Sequence, residues 1–197
     1  MTFTTAFLLF DGAEELDVVG PYEVFGVAAM KKPDTRVLTV EPRGVTVRCA
    51  KGMRIVPDHS FADVPAIDVL FVPGGKGTRE HPERQAMADW IAKVARNARF
   101  VASVCTGAFL LDLAGLTQGK RVTTHWQFTA MLRERGHAQV LDATRYVRDG
   151  NVLTAAGVSA GIDLALWLAG ELWGREFARE VTHYMEYDPA PPYRAEV

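Results

Sequence analysis

The sequence predicts an α/β fold of three layers: a mostly parallel central sheet with helices on both faces, and one strand that turns directly into a helix. Three observations carry this prediction. Short apolar runs alternate with segments of helical spacing, the pattern of strands joined by crossover helices. Three of those runs end in GAEELD, PGGKG and VCTGA, groups suited to the carboxyl edge of such a sheet, where ligands bind. The 197 residues are 48% hydrophobic and 23% charged, the proportions of a globular domain that buries its own core.

The elements follow in order. TTAFLLF reads as a buried strand that stops at Asp11-Gly12. Glu14 to Met30 has helical spacing, with Leu16, Val19, Val24 and Val27 as its apolar stripe; Pro21 either starts the helix proper or kinks it. Val37 to Val40 is a second strand. Val45 to Cys49 and Met53 to Val56 form a small hairpin around Lys51-Gly52. Ile67 to Val72 is a mostly apolar strand, interrupted only by Asp68, that stops at Pro73-Gly74-Gly75. Pro82 to Asn97 is a charged amphipathic helix, with proline fitting its first turn. Phe100 to Val104 is the next buried strand, and it runs through Thr106-Gly107 into a helix from Ala108 to Ala114 that Gly115 ends. Val122 to Thr124 is a short strand and Trp126 to Glu134 a helix ended by Gly136. Gln139 to Leu141, Tyr146 to Arg148 and Val152 to Thr154 are short strands, the last two paired through Asp149-Gly150. Ser159 to Leu172 and Arg175 to Tyr184 are closing helices, and DPAPPYRAEV is too proline-rich to be helical. The chain reads as a single domain, residues 1–197, without repeats or linkers.

Composition also narrows the function. Lys plus Arg total 22 and Asp plus Glu 24, with no basic block, so no nucleic-acid partner is expected. No window reaches the ~20 apolar residues of a membrane span, and the apolar start from Ala6 to Phe10 lacks the features of a signal peptide. The two cysteines are too few for a disulfide framework and are expected to be reduced, which fits a cytoplasmic protein.

Cys105 stands where a strand meets a helix with no room for a loop. That is the geometry of a nucleophile elbow, although the G-x-S-x-G sequence is absent. The amides of the following helix are expected to lower its pKa; a small buried core cysteine is the other reading. Cys49, inside a hairpin, reads as structural. Glu14, Glu15 and Asp17 follow the first strand and so share the sheet edge with Cys105. A carboxylate beside a thiol acts as general acid or base when burial raises its pKa, whereas first-turn carboxylates also simply favour the helix dipole. In Pro73-Gly74-Gly75 the glycines let backbone N–H groups approach an oxyanion, or make a plain turn. His59, His81, His125, His137 and His183 show no metal-ligand spacing, so no metal is expected. His125 follows a short strand and is placed to border a pocket.

Taken together, FLLFDGAEELDVVGPYEVFG, FVPGGKGT, VASVCTGAFLLDLAGLTQGKRVTTHW and RDGNVLTAAGVSAGIDLAL resemble the ThiJ/PfpI superfamily. Its fold is like that of class I glutamine amidotransferases, a flavodoxin-like sandwich. The resemblance spans nearly the whole chain, through EYDPAPPYRAE. LDVVGP, SVCTGA, LTQGK, TTHW and the YDPAPPY ending are most similar to the isocyanide (isonitrile) hydratases, and the same blocks occur in AraC-type transcription regulators. The resemblance implies Cys105 as nucleophile, Asp17 as the acidic residue that contacts it, and Thr106 as a positioning residue. It also implies that Gly75, next to Gly74 in the PGG turn, brings a backbone N–H near the sulfur, and that Val158 and Ser159 border the pocket. PfpI-type proteases carry His after the elbow cysteine; Thr106 stands there in this chain, which speaks against peptidase activity. The implied reaction needs no cofactor, its partner is a small-molecule isocyanide, and a homodimer is implied with the first helix near its interface. A redox-sensing or ligand-binding protein and an amidase-like hydrolase are the alternatives.

Overall fold

The computed structural model describes residues 2–188. The proline-rich tail, from Pro189 onward, lies outside the described residues, as does most of the YDPAPPY ending. The first strand, β1 (Phe3–Leu8), lies in the middle of a seven-stranded sheet. Its side chains alternate: Ala6, Leu8 and Phe10 enter one apolar core and Phe7 and Leu9 the other, as a strand buried on both faces requires. β2 (Thr35–Glu41) pairs with β1 in parallel on one side and β6 (Val69–Val72) on the other. β7 (Phe100–Val104) continues the sheet beside β6, followed by β11 (Val152–Ala155), all parallel. β10 (Tyr146–Asp149) closes that edge antiparallel to β11. β5 (His59–Ser60) forms the other edge on β2. The order is β10-β11-β7-β6-β1-β2-β5, a mixed but mostly parallel sheet.

Helices cover both faces. α1 (Glu15–Lys31), α6 (Ala160–Trp173) and α7 (Arg175–Tyr184) pack on one. There Phe7 stacks on Phe71 at 5.0 Å between ring centres, and Phe25 meets Phe71 edge-on at 5.5 Å, an arrangement favoured by ring quadrupoles. α3 (Arg84–Ala95) and α4 (Ala108–Leu113) cover the other face with Met87, Trp90, Ile91, Leu110 and Leu111. The chain leaves β1 toward β2 and later returns to β6 on β1's opposite side. The strand order therefore reverses between β1 and β6, where parallel sheets open a crevice at their carboxyl ends.

The structure departs from the expected elements in several places. Pro21 does not start α1, which begins at Glu15 and contains the proline in its interior. The hairpin is reduced to β3 (Val47–Arg48) and β4 (Arg54–Ile55). β5 and the one-turn α2 (Gly77–Glu80) were not expected. β8 (Arg121–Val122) and β9 (Gln139–Val140) pair with each other outside the main sheet. The segment from Trp126 begins as a 3-10 turn, and α5 proper spans Thr129–Glu134.

Candidate active site

Three strand ends converge at the crevice. After β1 the chain turns into α1 and delivers Asp17 from its first turn. After β6 it passes Pro73-Gly74-Gly75. After β7 it turns at Cys105. The antiparallel bridge between Ala13 and Gly75 and the Glu14 N–H donated to the Gly74 carbonyl at 2.9 Å lock the first two ends together.

Cys105 has φ 56°, the left-handed region that costs a non-glycine residue about 1–3 kcal/mol. A 3-10 turn over Cys105–Gly107 then leads into α4. The Thr124 hydroxyl donates to the Cys105 carbonyl at 2.7 Å and fixes the strained peptide. The cysteine is 8% exposed and Asp17 1% exposed. Gly74 is the keystone between them. A Cβ there would lie 2.6 Å from the Thr106 nitrogen, 2.7 Å from the Cys105 Cβ and 2.8 Å from Asp17 Oδ2, so only glycine permits this approach.

The backbone N–H groups of the glycine turn are already engaged. Gly74 donates to Asp17 Oδ2 at 2.9 Å, and Gly75 donates to Thr106 Oγ1 at 2.9 Å. The expectation that they lie open for an oxyanion is corrected accordingly: one holds the carboxyl group, the other the threonine. Asp17 Oδ1 is buried and makes no hydrogen bond.

Burial dominates the electrostatics. It pushes the Asp17 carboxyl up to about 7, helped by the charge of Glu14 and opposed by the Gly74 and Val158 amides. It also pushes the Cys105 thiol up to about 12, helped by the charge on Asp17 and opposed by the Thr106 N–H and hydroxyl. The expected lowering of the thiol is thus reversed. The following helix, α4, is only six residues long behind a 3-10 turn, and its amides do not offset desolvation. A protonated Asp17 removes the repulsion, so the two groups titrate as a pair.

The other predicted residues fall in different places. Val158 has φ 48° and its amide reaches toward Asp17. Ser159 turns outward: it is exposed and accepts a hydrogen bond from Arg145 at 3.1 Å. His125 borders a cavity of about 530 Å³ that Val158 also lines, while Cys105 itself does not. His125 Nδ1 accepts the Gln127 N–H at 3.4 Å. The remaining polar partners of histidines are structural: His59 faces Asp63, and His137 faces the buried Asp112, which also holds Arg135 and Thr117. Among the described residues no group of three or more His, Cys, Asp or Glu is placed to hold a metal ion, and no helix is long and apolar enough to cross a membrane. Cys49 is buried in the hairpin, its thiol pushed up to about 11 by burial and by Glu15, Asp11 and Glu14. Sequence reasoning missed the cavity-lining turn around Ala143, which has φ 50° and carries no motif.

Known proteins resemble this chain in sequence and in fold. The sequence pattern of the DJ-1/PfpI family matches residues 4–171. An isonitrile hydratase of Pseudomonas putida is 44% identical over 193 residues, covering 98% of this chain and 82% of the relative. A ThiJ/PfpI family protein from Pseudomonas syringae superposes with a TM-score of 0.85 at 31% identity, covering 100% of this chain and 80% of that one. DJ-1beta of Drosophila melanogaster gives a TM-score of 0.81 at 26% identity, covering 95% of this chain and 100% of that one.

Proposed function

The chain belongs to the DJ-1/PfpI family, and from that premise we propose that it hydrates isocyanides to N-substituted formamides, with Cys105 as nucleophile and no cofactor. The observation that carries the reading is the buried pair itself: a strained elbow cysteine and a carboxyl group of raised pKa, wedged against the same glycine. The isonitrile hydratase at 44% identity supplies the substrate class.

The chemistry follows from the pair's shared proton. Between about pH 7 and 12 it holds one proton. The reactive tautomer places that proton on Asp17 and the negative charge on sulfur. The thiolate pair forms a bond to the terminal carbon of R–N≡C, and the carbon lone pair takes the proton from Asp17, giving a thioimidate, R–N=CH–S, and a carboxylate. Asp17 then acts as general base on water, whose oxygen bonds to the same carbon. One water proton ends on Asp17 and the other on the substrate nitrogen. The carbon–sulfur bond breaks, R–NH–CHO leaves, and thiolate and protonated Asp17 are restored. Thr106 positions the elbow through its contact with Gly75.

Purified protein is expected to convert alkyl and aryl isocyanides to formamides, followed by loss of the isocyanide infrared band and by product chromatography. Cys105→Ala is expected to abolish turnover; wild-type protein inert across the panel overturns the assignment. A cytoplasmic location and a homodimer are part of the same reading. Met30, 70% exposed on α1, supports a contact there, and light scattering with and without Met30→Glu tests it.

A further inference from the structure

We propose that residues 189–197, Pro-Ala-Pro-Pro-Tyr-Arg-Ala-Glu-Val, dock as a polyproline segment in the groove between α6 and α7 of their own chain. The groove measures about 480 Å³ and shares no residue with the cavity that His125 borders. α6 lines it from Asp163 to Glu171 and α7 from Arg175 to Thr182, each at the three- and four-residue steps of one helix face. Its apolar wall is aromatic: half-buried Trp167, with Tyr146 of the edge strand β10 tilted against it at 6.0 Å between ring centres, and Tyr187. Proline-rich segments are recognised in such aromatic-lined grooves. Proline fixes φ beforehand, so the segment loses little entropy on docking.

Three observations point to this occupant. The first is delivery. After α7, Glu186 adopts φ 48° and turns the chain, and the Tyr187 hydroxyl donates to Asp163 Oδ1 at 2.9 Å. The chain is thereby pinned to α6 at the Asp163 end of the groove, one residue before Asp188. The second is length. From Asp163 to Glu171 the wall of α6 runs about 12 Å at 1.5 Å per residue. Pro189 to Pro192 span about 12 Å at the 3.1 Å rise of polyproline. The third is charge. A segment laid along that wall brings Arg194 and Glu196 beside Glu171 and Arg175. Glu171 is paired with Arg148 and Arg179 with Glu176, while Arg175 makes no ion pair among the described residues. Glu196 supplies the carboxylate it lacks.

Two measurements on the whole chain test the proposal, and neither needs turnover. Trypsin cuts after Arg194, inside the segment, and intact mass reports the loss of residues 195–197. Cleavage is expected to be at least tenfold slower than in the free peptide of residues 189–197, because a docked site is cut only while it is open. The combined Pro189→Gly, Pro191→Gly and Pro192→Gly variant leaves the folded domain untouched. It is expected to be cleaved at least fivefold faster than wild type, after correction for the same substitutions in the free peptide. Trp167→Ala, still folded by circular dichroism, is expected to act in the same direction from the groove side. Cleavage of wild type as fast as the peptide overturns the proposal, and so does protection that both variants keep. The second measurement places a photocrosslinker, Tyr193→p-benzoylphenylalanine, in isotope-labelled and unlabelled chains unfolded in urea and refolded together. Crosslinks are expected from position 193 to the stretch 163–182 of the same chain. Crosslinks to other surfaces overturn the proposal, and crosslinks joining labelled to unlabelled chains overturn it by assigning the groove to a second copy.

Discussion

Asp17→Asn separates the electrostatics of the site from its packing. The carboxyl group is pushed from an ordinary value of 3.8 up to about 7, with burial as the largest cause. At 1.36 kcal/mol per pKa unit, a shift of about three units corresponds to about 4 kcal/mol. The folded protein keeps the Asp17 proton at pH values where the unfolded chain has lost it. Its contribution to stability is therefore fully present below about pH 4, falls as pH rises toward 7, and is constant above that. Asparagine has the same shape and does not titrate. Urea midpoints of wild type and variant, measured from pH 4 to pH 8, are expected to show the variant gaining on wild type by about 4 kcal/mol across that window. Other carboxylates cancel in the difference. Cys105 does not intrude, because its own contribution is intact below its ordinary value of 9.0 and is lost only as pH rises toward 12. A wild-type-minus-variant difference that stays flat with pH refutes the raised carboxyl and, with it, the proton-sharing pair.

Further outcomes follow from the same geometry. In the isocyanide assay kcat/KM is expected to rise through an apparent pKa near 7 as the pair loses its first of two protons, and Asp17→Asn, still folded by circular dichroism, is expected to lose that limb and at least a hundredfold in rate; a bell falling above pH 7 contradicts the shared-proton state. Gly74→Ala forces a methyl group against Asp17, Cys105 and Thr106, and is expected to cost about 1–3 kcal/mol in denaturant stability and to suppress turnover more than Gly26→Ala, where a Cβ meets nothing. Iodoacetamide at pH 7.5 is expected to modify Cys105 more slowly than a free cysteine in the same buffer, as mass spectrometry would show, since burial holds the thiol up. Cys49→Ala is expected to leave turnover within twofold of wild type.

The sheet and the position of the elbow cysteine were legible because their signals are local. Val69–Val72 is an unbroken apolar run that stops at Pro73, and Phe100–Val104 is interrupted only by the small Ser103 before Cys105, so strand, boundary and edge are written in adjacent residues. From the residues alone Asp17 was legible only as a member of the right sheet edge; the family resemblance singled it out over Glu14 and Glu15, and the register of α1 gives the physical reason. Asp17 turns into the core, whereas Glu14 and Glu15 meet Lys51 on the hairpin. The sign of the thiol shift was not legible, because desolvation depends on what the rest of the chain stacks over the sulfur. The partners of the Gly74 and Gly75 amides and the outward turn of Ser159 were hidden for the same reason. β5 and α2, two and four residues long, are too short to show a period.

The pairing of two groups that burial disfavours as ions has a chemical logic. A buried thiolate and a buried carboxylate together would place two like charges out of water, which the fold does not tolerate. One proton between them leaves a single negative charge that either atom can carry. In the proposed reaction that charge is conserved: it starts on sulfur, and when carbon takes the proton it moves to the carboxylate. The Gly74 N–H, 2.9 Å from Asp17 Oδ2, stands where the charge arrives, not where it begins. An amide so placed stabilises the thioimidate stage relative to the starting thiolate, which is how a preorganised dipole lowers a barrier. The glycine turn thus does for the carboxylate what it was first expected to do for an oxyanion on the substrate.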